Sequence, residues 1–129
     1  MRCRQVDADG NCLFRAASVA LSGDIDFQED ESARQLRADV VAFMYDNEAT
    51  FKGFVEHFHA YMAKIQEDNV WGGEPELSAI ARLTRRPVHV YKSTGREYEL
   101  FSQYPDDSEA DSNAIRLLFH GKHYDALFE

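Results

Sequence analysis

Asp9-Gly10-Asn11-Cys12-Leu13-Phe14-Arg15 is a short polar turn that runs straight into apolar sequence. Ala16, Ala17, Val19, Ala20 and Leu21 continue the apolar run. The pattern predicts a buried helix starting near Cys12, with Asp9 to Asn11 as its capping turn. A cysteine at a helix N-terminus sits among unpaired N–H groups at the positive end of the dipole, which favours thiolate over thiol. Such placements, usually with a histidine, bring a cysteine pKa from about 8.5 down to roughly 3.5–7.5. The same N–H groups can receive the oxyanion of a tetrahedral intermediate, so one turn could supply nucleophile and oxyanion hole. A lone cysteine ahead of an apolar helix is more often a small buried hydrophobe. The catalytic reading therefore requires a histidine.

The bulk numbers narrow the setting. A length of 129 residues fits a single domain over 1–129 with a real core. A hydrophobic share of 44% and a charged share of 29% are those of a globular protein. No apolar run approaches the roughly 18 residues that span a bilayer. Met1-Arg2-Cys3-Arg4-Gln5 leads into polar residues with no apolar core, so it is not read as a signal peptide. The only cysteines, Cys3 and Cys12, are read as reduced thiols of an intracellular protein, cytoplasmic or nuclear. They have no C-x-x-C spacing, and with scattered histidines they suggest no metal site and no cofactor. Fourteen basic against 23 acidic residues give a formal charge of −9. That excludes nucleic acid and anionic membrane as expected partners and suits a basic protein partner instead. Two acidic clusters, Asp24 to Glu31 and Asp106 to Asp111, read as solvated loops.

Further along, Ser32 to about Tyr45 carries Leu36, Val40, Val41, Phe43 and Met44 at helical spacing, with Ser32 as a cap. Phe51 to Ile65 repeats that spacing, with Gly53 as a possible break. His57 and His59 lie there two apart, share no helix face, and are read as structural or surface residues. Trp71-Gly72-Gly73 precedes a helix in which Pro75 falls in the first turn and Glu74 and Glu76 suit the dipole. Trp71 reads as a core anchor, a substrate-lining residue, or both. Arg85-Arg86-Pro87 ends the helix. Val88–Tyr91, Tyr98–Phe101, Ile115–Phe119 and His123–Phe128 read as strands, the last two joined at Gly121. Helices first and an antiparallel sheet last make an α+β order.

His123-Tyr124-Asp125 opens the last strand, and i and i+2 in a strand project from one face. A carboxylate beside an imidazole fixes its tautomer and stabilises the imidazolium, the third role in a Cys-His-acid triad. Three blocks now stand in order, covering Asp7 to Asp125: Asp9 to Arg15, Trp71-Gly72-Gly73 with Glu76-Leu77, and His123-Tyr124-Asp125. Together they resemble the signature blocks of ovarian tumour (OTU) domain deubiquitinases, and Ile115, Leu117 and Phe119 resemble the strand before the family's histidine.

The resemblance implies a papain-like cysteine peptidase fold, with a small, mostly antiparallel sheet between helical layers. It implies Cys12 as nucleophile, His123 as general base and then acid, and Asp125 as third member. Asp9 matches an acidic residue that in some relatives supports the site or replaces that member. The amides of Gly10, Asn11 and Cys12 would form the oxyanion hole. Trp71, Gly72, Gly73 and Tyr124 would flank a channel for ubiquitin's Gly-Gly end, which a narrow cleft admits while excluding bulkier tails. Basic residues in ubiquitin's tail would fit this acidic chain, with Glu74 and Glu76 as candidate contacts and equally as helix caps. The implied reaction is metal-free hydrolysis after the C-terminal glycine of ubiquitin or polyubiquitin. The rival readings are a catalytically weak ubiquitin-binding adaptor and a thiol hydrolase acting on a ubiquitin-like modifier.

Overall fold

The computed structural model describes residues 1–105 and 113–129; the second acidic cluster, Asp106 to Asp111, lies outside them. The chain order is β1 Arg2–Arg4, α1 Cys12–Ser22, α2 Asp30–Asp46, α3 Glu48–Phe51, α4 Phe58–Ile65, α5 Glu74–Thr84, β2 Val88–Ser93, β3 Tyr98–Tyr104, β4 Ile115–His120 and β5 His123–Phe128.

Helix α1 begins at the cysteine, as the polar-to-apolar switch predicts. It buries Cys12, Leu13, Phe14, Ala16, Ala17, Val19 and Ala20, because it lies between the sheet and α2. Gly23 ends it in the left-handed region at φ 74°, donating its N–H to the Ala20 carbonyl. Helix α2 buries Ala33, Leu36, Arg37, Val40, Val41 and Met44, one stripe at helical spacing. It starts two residues before the expected cap. Ser32 lies inside its first turn, where Asp30 and Glu31 already supply the negative charge that the dipole favours.

The expected helix over Phe51 to Ile65 is two elements. Helix α3 ends at Phe51, and the chain turns through residues 52–57 before His57, at φ 51°, precedes α4. Buried Phe51 sits in an edge-on ring contact with Phe43 of α2, and Phe58 in another with Tyr45, so each piece anchors separately. His57 and His59 are exposed. Helix α5 carries Pro75 in its first turn and stops at Arg85 with φ 57°.

The strands form one sheet in the order β1-β5-β4-β2-β3. Neighbours are antiparallel except β2 and β4, which run parallel. The exception arises because β3 returns on the outer side of β2, and the chain then crosses back to enter β4 on the inner side. Strand β1 was not expected. Three residues are too short for an alternation to register, and only pairing with β5 (Cys3 opposite Leu127) defines it.

Val88, Val90, Ile115, Leu117, Tyr124 and Ala126 share one core cluster with the helices. The layering is therefore sheet, then α1 and α5, then α2 across both. The strand residues between them, His89, Arg116, Leu118, Asp125 and Leu127, point to the opposite face. Leu117 sits fully buried between α1 and the sheet. Leu117→Ala should therefore lower the unfolding free energy by about 2–5 kcal/mol. A shifted urea midpoint at unchanged slope would report it.

Candidate active site

The turn before α1 is held from within and from outside. Asp9 accepts the Asn11 N–H on Oδ1 at 2.9 Å and the Cys12 N–H on its backbone carbonyl at 3.2 Å. Its carboxylate also pairs with Arg15 at 3.2 Å, and Arg15 reaches on to Asp30. Asn69, in the left-handed region at φ 66°, accepts the Gly10 N–H on Oδ1 at 2.8 Å. Asn69 also donates its own N–H to Asn11 Oδ1 at 3.0 Å. The two loops touch so closely that a Cβ on Gly10 would stand 1.7 Å from the Asn69 carbonyl oxygen. Only glycine fits there.

Arg37 closes the arrangement from α2. The residue is 5% exposed. It donates to Gly10 O at 3.1 Å and Asn11 Oδ1 at 2.7 Å on one loop, to Ile65 O at 2.8 Å at the end of α4, and to Val70 O at 2.9 Å on the loop that follows it. Its flat face lies over the Phe14 ring, 4.4 Å from the centroid. Burial lowers its pKa, with Asp68, Glu76 and Asp9 opposing the shift. Nothing in the sequence singled Arg37 out, beyond a charge standing in an apolar helical stripe.

The expected oxyanion amides meet this packing. Gly10 donates to Asn69, Asn11 to Asp9, and Cys12 to the Asp9 carbonyl. Cys12 has the longest of the three bonds, at 3.2 Å, and is the amide most easily shared with a substrate oxygen.

Cys12 is 1% exposed, and its thiol donates to the Lys122 carbonyl at 3.9 Å. Burial pushes that thiol up; the Tyr124 and Leu13 N–H groups pull it down, and the negative Asp9 and Asp125 push it further up. The expectation that the helix terminus leaves a thiolate is thus corrected. Desolvation outweighs the amides, and the resting group is a thiol flanked by the backbone on both sides of His123.

The β4–β5 hairpin sets His120 opposite His123 and Leu118 opposite Asp125. His123 Nε2 donates to Asp125 Oδ1 at 2.6 Å, as the i, i+2 spacing predicts. His123 Nδ1 is buried with no hydrogen-bond partner among the described residues. Asp125 also accepts the Val6 N–H at 2.9 Å and, on Oδ2, His120 Nε2 at 2.9 Å. His120 was missed as a site residue. Its register opposite His123 across the Gly121 turn was the available signal. Asp9 is engaged with its own turn and Arg15, whereas Asp125 holds His123.

Trp71 is 44% exposed, which removes the core-anchor reading, and Gly72 and Gly73 are half-buried. Tyr124 is buried against Phe119, and Cys12, Tyr104 and Glu74 are close enough to raise its pKa together with burial. Glu76 is not a surface contact. It is fully buried, accepts the Tyr61 hydroxyl at 2.6–2.7 Å and the Gly73 N–H at 2.7 Å, and burial raises its pKa. Glu74 is the exposed one of the pair and accepts the Tyr104 hydroxyl at 3.1 Å. A cleft of about 440 Å³ lined by Phe54, Glu74, Pro75, Ser78, Arg82, Tyr104 and Pro105 adjoins Gly73 but includes neither Cys12 nor His123.

A family model described as OTU-like cysteine protease matches residues 7–125. The chain is 32% identical over 128 residues to ovarian tumor domain-containing deubiquitinating enzyme 6 of Arabidopsis thaliana, covering 98% of this chain and 24% of the relative. It is 33% identical over 132 residues to deubiquitinating enzyme 4 of the same plant, covering 95% and 41%. The chain thus spans well under half the length of these relatives. Among solved structures, the OTU domain of OTUD1 superposes with a TM-score of 0.80 at 27% identity, over 98% of this chain and 85% of that one. An OTU domain in complex with ubiquitin superposes with a TM-score of 0.73 at 25% identity, over 96% and 67%.

Two outcomes follow from this geometry. Arg37→Leu removes the donor from three backbone carbonyls, two of them in buried bonds, and should cost about 3 kcal/mol in urea unfolding, while exposed Arg34→Ala on the same helix changes little. In a Cys3→Ser background, the pH at which iodoacetamide alkylates Cys12 at half its maximal rate should lie above that of an ordinary cysteine. The raised thiol pKa leaves less thiolate at a given pH. Asp9→Asn removes one of the charges that raise it, so the profile should move to lower pH.

Proposed function

The chain belongs to the family of OTU-like cysteine proteases, and from that premise we propose that residues 1–129 act as one catalytic domain hydrolysing bonds after ubiquitin's C-terminal glycine. The observation that carries the assignment is the His123–Asp125 pair. With Nε2 donating to Asp125 at 2.6 Å, the lone pair of His123 lies on buried Nδ1, the nitrogen left for the thiol.

Cys12 Sγ is the nucleophile. Because burial holds it as a thiol, His123 Nδ1 takes its proton as the sulfur attacks the carbonyl carbon of the terminal glycine. The carbonyl oxygen becomes an oxyanion, received at the Cys12 N–H in place of its long bond to Asp9. His123 Nδ1–H then protonates the leaving amine as the C–N bond breaks, which leaves a thioester. Water attacks the thioester with His123 again as base, and the carboxylate departs as the thiol reforms. Asp125 is a positioning residue that keeps the imidazole in one tautomer. Asp9 and Arg15 act on the cysteine turn, not on His123.

Ubiquitin is proposed as the substrate because relatives are named deubiquitinating enzymes and a similar OTU domain has been solved with ubiquitin. The Gly-Gly end would pass beside Trp71, Gly72 and Gly73, with Tyr124 as the channel floor near the thiol. Glu74 replaces Glu76 as the acidic residue available to a basic tail. Such a substrate places the enzyme in the cytoplasm or nucleus.

Ubiquitin carrying a C-terminal thiol-reactive warhead should add one ubiquitin mass to the wild type and none to Cys12→Ala. Wild-type protein that is folded and forms no adduct would sink the assignment. Asp125→Ala should lower turnover by about 10²–10⁴, the range for losing support of a general base.

A further inference from the structure

Among the described residues, His120, His123 and Asp125 bring one ligand atom each within 4.8 Å of one another. We propose that these three side chains form a Zn²⁺ site, and that zinc bound there switches the hydrolase off. The inhibitory half rests on the function proposed above; the binding half does not.

The donor set is two imidazole nitrogens and a carboxylate oxygen, which zinc takes in open sites with a water in the fourth position. Both imidazoles already aim Nε2 at the two oxygens of Asp125, at 2.9 Å from His120 and 2.6 Å from His123. Tetrahedral zinc with bonds near 2.0 Å needs ligand atoms about 3.3 Å apart, so the two hydrogen bonds, made to different oxygens of Asp125, must open by well under an ångström, and the widest ligand pair, within 4.8 Å, must close by at most about 1.5 Å. The three residues come from one hairpin whose register places His120 opposite His123, so the ligands converge through strand pairing and not by chance rotamers. Val6 N–H holds Asp125 from behind at 2.9 Å, an outer-shell bond of the kind that orients metal ligands. His120 has a side chain 54% exposed, which leaves an entry path and room for the water ligand. The chain's formal charge of −9 favours arrival of a cation.

The inhibition follows from proton placement. In the working enzyme His123 carries its proton on Nε2 and accepts on Nδ1. Zinc on Nε2 displaces that proton, and the neutral metal-bound imidazole carries its proton on Nδ1 instead. A nitrogen that already bears hydrogen cannot take one from Cys12. The metal also separates His123 from Asp125, so both functions of the pair are lost together.

Calorimetric titration of the protein with ZnCl₂ in a non-chelating buffer tests the site without relying on turnover. Wild type and Cys12→Ala should each bind one equivalent. His120→Ala and His120→Gln should bind at least about tenfold more weakly, a loss that even outer-shell partners of metal ligands can cause. The glutamine variant keeps a donor for Asp125, so it separates loss of a ligand from loss of a hydrogen bond. Zinc should then inhibit cleavage of a fluorogenic ubiquitin substrate over the same concentration range, and EDTA should restore it. No binding by wild type would overturn the site. Binding lost in Cys12→Ala but kept in both His120 variants would also overturn it, since zinc would then be on the thiol. One equivalent bound with turnover unaffected would overturn the inhibitory half. A zinc-free enzyme with no turnover of any ubiquitin substrate would count against the hydrolase reading, while calorimetry still decides the site.

Discussion

A buried guanidinium joins the two loops that shape this site. Arg37 gives hydrogen bonds to the cysteine turn at Gly10 and Asn11, to the end of α4 at Ile65, and to the loop that follows it at Val70. No carboxylate among the described residues hydrogen-bonds it directly. The desolvation penalty of a cation in the interior is offset by carbonyl and amide dipoles and by the Phe14 ring. Such an arrangement is intolerant of movement, because each acceptor that drifts away leaves part of a charge unsolvated. The turn that presents Cys12 is therefore tied directly to the helix that holds Arg37, although it is itself a loop. Gly10 adds a steric lock: backbone meets backbone at a distance that excludes any side chain.

The second constraint is the Asp125 carboxylate, 2% exposed and yet shared by His120, His123 and the Val6 amide. A buried charge with three donors is well compensated, and it holds two imidazoles in a fixed relation. Its negative charge also acts on the cysteines nearby, raising both Cys3 and Cys12. Burial and the nearby carboxylates thus favour a thiol over a thiolate at Cys12. Burial makes that choice, since the helix terminus alone would favour the thiolate.

Much of the fold could be read before any coordinates. The start of α1 at Cys12, the stop after Thr84 and the four later strands all rest on local chemistry. That chemistry is an apolar period, a polar capping turn, and a proline near a helix end. The misreadings share a cause. Strand β1 exists only because β5 is beside it, and the parallel β2–β4 pair depends on how the chain crosses the sheet. Gly53 marked the break in Phe51 to Ile65, and only the packing of Phe51 and Phe58 decided that it is a turn of several residues. Of the two readings of Glu76, the helix cap holds through its bond from the Gly73 N–H, and the tail contact fails because the side chain is buried against Tyr61.

At the site itself, sequence determined the pairs that lie close along the chain. His123 and Asp125 share a strand face because side chains alternate, and Cys12 sits at a helix start because the polar turn ends there. Tertiary structure alone decided the rest. Arg37 reaches a loop 27 residues away, Asn69 meets Gly10 across 59 residues, and the Cys12 thiol finds Lys122 across 110. Sequence carries no distance for such pairs. Their electrostatics depend on which water is removed, and only the folded packing says which groups lose it.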